Sequence, residues 1–126
     1  MKHALIALAL IVTPTATPIL MAQPVLAAPL TGKLGDLSNF ATIADDTLAL
    51  IEQKDLVAAQ KRITDFETAW DAAQPTLYAK DTTAWGVIDD AADAAITSLR
   101  ATKPSAKKAK TTVTALLNTL QSPAVK

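Results

Sequence analysis

Between Leu56 and Ala73 the apolar residues recur at alternating steps of three and four: Leu56, Ala59, Ile63, Phe66, Trp70 and Ala73. That spacing sets all six on one stripe of an α-helix, the seam through which helices pack in bundles and coiled coils. A stripe of this bulk is unstable against water, so the segment demands partner helices. The chain supplies three more. Leu37–Gln53 carries Leu37, Phe40, Ala44, Leu48 and Ile51 at helical spacing. Thr82–Arg100 carries Trp85, Ile88, Ala92, Ala95 and Leu99, and Ser105–Gln121 carries Ala106, Ala109, Val113, Leu116 and Leu120. No segment alternates with the period of a strand.

The boundaries follow from capping chemistry. Asp36 or Ser38 is suited to cap the first helix, Asp55 the second and Asp81 the third, while Pro104 or Ser105 opens the fourth. Pro75 is expected to end the second helix, because it lacks an N–H and disfavours helical geometry at Gln74. Residues Pro75–Lys80 then read as a connection, and Ser122-Pro123 closes the last helix. Gly86 either weakens the third helix by about 1 kcal/mol relative to alanine or admits a neighbouring backbone.

Four helices with one apolar stripe each and short links predict an all-α, antiparallel up-down-up-down four-helix bundle over residues 36–122. The same stripes also fit two helical hairpins stacked as a short repeat array. In the bundle, all five aromatics (Phe40, Phe66, Trp70, Tyr78 and Trp85) fall toward one end, where the helices should splay. The opposite end collects Ala59, Ala95, Ala106 and Ala109, which permit close backbone approach.

Ahead of the bundle, Lys2 precedes an apolar run from Ala4 to Val12, and a proline-containing stretch ends in Val25-Leu26-Ala27. These are the features of a secretory signal, with cleavage expected after Ala27. The domain reading is a signal peptide over 1–27, a flexible lead-in over 28–35, the bundle over 36–122 and a C-terminal tail over 123–126. A periplasmic or secreted protein is expected, with no transmembrane span in its mature form.

Side-chain chemistry narrows the function classes. The chain has no cysteine, its one histidine is His3, and its methionines are Met1 and Met21. The mature part therefore lacks imidazole, thiol and thioether. Serine–histidine catalysis, thiolate metal sites and haem ligation all fall away. A ferritin-like site needs four glutamates and two histidines, and only Glu52 and Glu67 exist. No cofactor is expected. Asp89-Asp90-Ala91-Ala92-Asp93 matches the DDxxD spacing that holds magnesium in prenyl-diphosphate enzymes. Asp89, Asp90 and Asp93 make a weak candidate cation site, set against a solvated face with Arg62 at the same height.

Two surfaces are candidates for binding. Phe40, Trp70, Tyr78 and Trp85 either form core at the aromatic end or line a docking patch there. Lys103, Lys107, Lys108 and Lys110 crowd the start of the fourth helix, where the dipole favours acids instead. All twelve acidic residues lie between Asp36 and Asp93, whereas the chain beyond Leu99 has six basic residues and no acid. The lysines either pair with Asp93 and its neighbours or meet an anionic partner: a phosphate-bearing lipid, a cell-wall polymer or an acidic protein. Balanced net charge in an exported chain argues against nucleic acid.

The run Glu67-Thr68-Ala69-Trp70-Asp71-Ala72-Ala73, followed by Trp85, Ile88-Asp89, Asp93 and Leu99-Arg100, resembles a family of small exported bacterial proteins. Those proteins share a Glu-Thr-Ala-Trp-Asp helix and a second Trp-x-x-Ile-Asp helix. The resemblance covers about Leu48 to Leu120 and implies a helical fold, with no established activity and no catalytic residue to carry over. Many members have a cysteine near the start of the last helix, where this chain has Ala106-Lys107-Lys108.

The expected function is a non-enzymatic binding or interaction module of the cell envelope, with a protein or envelope component as partner. The competing expectation is a carboxylate-based binder of a divalent cation or small ligand.

Overall fold

The computed structural model describes residues 31–121. The signal peptide over 1–27, its cleavage after Ala27 and the tail over 123–126 lie outside the described residues. A two-residue antiparallel pair comes first, β1 (Thr31–Gly32) and β2 (Gly35–Asp36), with Thr31 opposite Asp36. Four helices follow: α1 (Ser38–Glu52), α2 (Leu56–Lys80), α3 (Thr82–Arg100) and α4 (Ala106–Gln121).

The helices begin where short polar side chains meet free N–H groups. Asp55 accepts the Ala58 N–H at 3.0 Å, and Asp81 accepts that of Ala84 at 2.8 Å. Ser105 accepts the Lys108 N–H at 3.3 Å. At α1 the residue flanking the helix is Leu37, which offers no capping side chain, and Asp36 one step earlier accepts the Ser38 N–H at 2.9 Å. Helix α1 ends in a Schellman turn. Asp55 N–H bonds to the Leu50 carbonyl at 3.0 Å and Lys54 N–H to that of Ile51 at 2.9 Å, with Lys54 left-handed at φ 63°.

The proline does not end α2. Pro75 sits inside a helix that runs to Lys80, and the expected Pro75–Lys80 connection is helical. The ring removes one bond to the Asp71 carbonyl. Both residues are exposed, so water is at hand for that carbonyl. The seam meanwhile continues past the proline: Leu77, four residues after Ala73, is buried at 7% exposure. Asp81 alone then links α2 to α3, serving as the last cap of one and the first of the other.

The extensive interfaces run round a ring: α1–α2, α2–α3, α3–α4 and α4–α1. Contact of α4 with α1 closes a bundle and leaves no open array of hairpins. Register gives direction. Phe40 meets Trp70 while Asp46 meets Arg62, so numbering rises along α1 as it falls along α2. Trp70 meets Asp89 while Glu67 meets Arg100, the same reversal between α2 and α3. The five-residue link Ala101–Ser105 is too short for a parallel return along α4. The bundle is therefore up-down-up-down.

Its core is continuous. Phe66, Ile63, Ile88, Val113, Leu116 and Leu120 are fully buried, each worth about 1.5–3 kcal/mol of apolar burial. The alanine layer holds at Ala59, Ala95 and Ala109, each at 0% exposure, while Ala106 is only half-buried at its edge. Two buried hydroxyls sit within it. Thr47 bonds back to the Ile43 carbonyl at 2.8 Å, and Ser98 shares bonds with the Ala95 carbonyl at 2.8 Å and Thr112 at 2.7 Å.

The lead-in departs from expectation at its inner end. The hairpin turn drives Leu34 into the core at 1% exposure, next to Leu37 at 0%. Lys80 Nζ donates to the Leu34 carbonyl at 3.4 Å, and Lys33 pairs with Asp81 at 3.5 Å. The turn thus packs over the aromatic end of the bundle, beside the α2–α3 link. Gly35, at φ +88°, supplies a backbone geometry that side chains resist. Gly86 admits no close backbone among the described residues, since a methyl there would meet none of their atoms within 4 Å.

Candidate functional site

All five aromatics do gather at one end, as a single chain of ring contacts. Phe40 meets Phe66 edge-on at 5.8 Å and Trp70 at 5.1 Å. Phe66 stacks on Trp70 at 5.9 Å, Trp70 on Trp85 at 6.0 Å, and Tyr78 meets Trp85 edge-on at 5.3 Å. The ring separations and angles are those favoured by the aromatic quadrupole. Phe40 and Trp70 are core, at 8% and 2% exposure, so they present no docking surface. Trp85 is half-buried, and only Tyr78 stands well into solvent.

Each indole N–H at this end has a different fate. Trp70 Nε1 donates to Asp89 Oδ1 at 3.0 Å across the α2–α3 interface. Trp85 Nε1 is buried and has no partner among the described residues. Burial pushes the Asp89 carboxyl above its ordinary range. The Trp70 bond works against that shift, while Asp93, Asp90 and Asp71 add to it.

The structure does not bring the Asp89-Asp90-Asp93 group together as a cation site. Asp89 turns to Trp70, while Asp90 and Asp93 face solvent. Among the described residues no three carboxylates converge as a metal would require. Arg62 is not their counter-charge either: it forks to Asp46 at 2.8 Å and Asp65 at 3.1 Å. Arg100, on α3, instead holds Glu67 of α2 through two nitrogens.

The other end of the bundle is cationic. Lys103 lies in the α3–α4 link, Lys107, Lys108 and Lys110 on the first turns of α4, and Lys54 on the neighbouring α1–α2 turn. Lys110 pairs with Glu52 of α1 at 3.0 Å rather than with Asp93 and its neighbours. That pair is exposed on both sides and worth about 0.2–1 kcal/mol. Lys54, Lys103, Lys107 and Lys108 make no ion pair among the described residues.

Two shallow depressions flank Lys107 and Lys110. One, of about 470 Å³, lies between α1 and α4 and includes Ile51, Glu52, Lys54 and Ala106. The other, of about 430 Å³, runs along α4 past Thr111, Thr114, Ala115 and Asn118. Lys103 and Lys108 line neither. Lys54 and Glu52 carry no local sequence signal for this end, because their place here depends on α1 and α4 being neighbours. The signal within reach lay in the connectivity: a lysine directly before the Asp55 cap sits at the same end as the start of α4.

These side chains can attract and hold an anion in solvent; nothing among them supplies a nucleophile paired with a base. Comparison with protein-family models, with curated proteins and with solved structures finds no match. Among the described residues no helix is long and apolar enough to cross a membrane.

Proposed function

We propose that this protein is a non-enzymatic binding module exported to the cell envelope, and that it meets an anionic partner through the lysine-bearing end of α4. The observation that carries this reading is the first turns of α4, where Lys107 and Lys108 have no ion-pair partner among the described residues and the helix carries no acid. Free N–H groups already make a helix start positive, so cations there repel it and an anion relieves the repulsion. Lys54 adds to the argument. It occupies a left-handed position where glycine is favoured, and it brings a further cation to the same end at a backbone cost of about 1 kcal/mol. Export rests on Lys2, the Ala4–Val12 run and Val25-Leu26-Ala27.

Retention on an anionic matrix at low salt, compared with a Lys103→Gln, Lys107→Gln, Lys108→Gln variant, tests the binding reading. The wild type should be retained and the variant should elute early. Equal elution of the two would remove the α4 end as the binding surface. For export, N-terminal sequencing of protein recovered from the envelope should begin at Ala28, and a chain that keeps Met1 inside the cell would overturn that part.

A further inference from the structure

We infer that the strip along α4 seats a linear polyanion whose phosphates are joined by hydroxyl-bearing linkers, a poly(polyol phosphate) chain. This deepens the anion-binding reading and rests on it.

The two depressions share Lys107 and Lys110, so these lysines form a ridge with a trough on either side. From Lys107 to Asn118 the strip runs about 16 Å along the helix axis at the usual rise per residue. Both troughs are open and shallow, a shape that suits an extended chain better than a single enclosed phosphate. Chemistry changes along the strip. Its start is cationic, and its continuation offers Thr111, Thr114 and Asn118. The Thr111 hydroxyl donates to the Lys107 carbonyl at 3.0 Å, which leaves its oxygen free to accept from a ligand hydroxyl. Thr114 and Asn118 make no side-chain hydrogen bond among the described residues, so both remain available to a polyol linker.

Single-stranded nucleic acid and an anionic bilayer fit less well. Single-stranded nucleic acid is held by aromatic platforms as well as charge, and all five aromatics lie at the far end of the bundle. A bilayer is gripped by apolar side chains beside the cations. Among the described residues the large exposed apolar side chains, Val57, Tyr78 and Val87, are not on this strip. Lysines act as mobile point charges rather than the fixed forks of arginine, and they tolerate phosphates of varying orientation.

The test is binding of the purified protein, by calorimetry at low and at physiological salt, to poly(glycerol phosphate), inorganic polyphosphate, inorganic phosphate and phosphatidylglycerol vesicles. Poly(glycerol phosphate) should bind more tightly than polyphosphate of equal charge, and inorganic phosphate should not compete at equal phosphate concentration. Lys107→Gln with Lys110→Gln should weaken polymer binding roughly tenfold, since close charges set such affinities. Glu52→Gln should strengthen it, because Lys110 loses its internal partner. Thr114→Val with Asn118→Leu should weaken poly(glycerol phosphate) and leave polyphosphate unchanged, with thermal melting confirming that each variant folds. Equal affinity for both polymers, unmoved by Thr114→Val with Asn118→Leu, would overturn the linker chemistry while the anionic reading stands. Binding to vesicles alone would make the partner a membrane surface and overturn the polymer. No binding to any of the four at low salt would end both readings.

Discussion

Asp89 on α3 accepts the indole N–H of Trp70 on α2 at 3.0 Å, tying together the two helices that a single residue links. The bond joins one of the largest buried side chains to an acid that is itself partly desolvated.

That pairing predicts a split between two substitutions. Asp89→Asn keeps an acceptor for Trp70 and removes a charge that burial and the neighbouring acids disfavour. Asp89→Ala leaves a buried N–H without a partner, at a cost of about 1–3 kcal/mol. Because the folded-state pKa of Asp89 is raised, the folded protein binds this proton more tightly than the unfolded chain. Its contribution is full below the unfolded pKa and is lost as pH rises through the folded one. Urea melts of wild type and Asp89→Asn across that window should converge toward acid pH and favour the variant at neutral pH. A wild type that gains on Asp89→Asn as pH rises would refute the assignment.

Leu34 is predicted to act as core although it belongs to a two-stranded turn. Its side chain is 1% exposed, so Leu34→Ala should destabilise by about 2–5 kcal/mol, as buried leucine truncations do. Chemical denaturation measures this directly. A loss under about 0.5 kcal/mol, the range of surface changes, would mean the turn merely rests on the bundle.

The helices were legible because their stripes are long and their caps are chemically distinct. Asp55, Asp81 and Ser105 cap where such side chains should. The gathering of the aromatics at one end also followed from alternating helix direction. Leu34 was not legible, since one leucine between polar residues carries no period. Nor was the choice of ion partners. Arg62 on α2 can lean toward α1 or α3, and only the packed angle between helices selects Asp46. The cationic end was half visible: α4 announced its lysines, but Lys54 joins them only through the fold.

Lys54 should show opposite effects on stability and binding. Its φ of 63° is a position where glycine costs least, so Lys54→Gly should stabilise the protein by about 0.5–1 kcal/mol. The same change removes a cation from the 470 Å³ depression and should weaken retention on an anionic matrix. Thermal melting and elution salt, measured on one preparation, check both. Stabilisation without any change in elution would leave Lys54 outside the binding surface.

Pro75 offers the sharpest check on α2. In a helix interior proline costs about 3 kcal/mol relative to alanine, through the missing N–H and the clash with the carbonyl four residues earlier. Here that carbonyl belongs to exposed Asp71, and solvent recovers part of the loss. Pro75→Ala should therefore stabilise the protein by about 1–2 kcal/mol, below the full interior value. It should do so without altering the Trp70–Trp85 stack, which near-ultraviolet circular dichroism reports. Had the helix ended at Pro75, alanine there would remove a favourable turn residue and its restriction of the unfolded chain, and stability would fall. Leu77→Ala separates the two cases independently. Its side chain is 7% exposed in the continuous helix, so truncation there should cost about 2–5 kcal/mol, whereas a leucine in a solvent loop would tolerate the change.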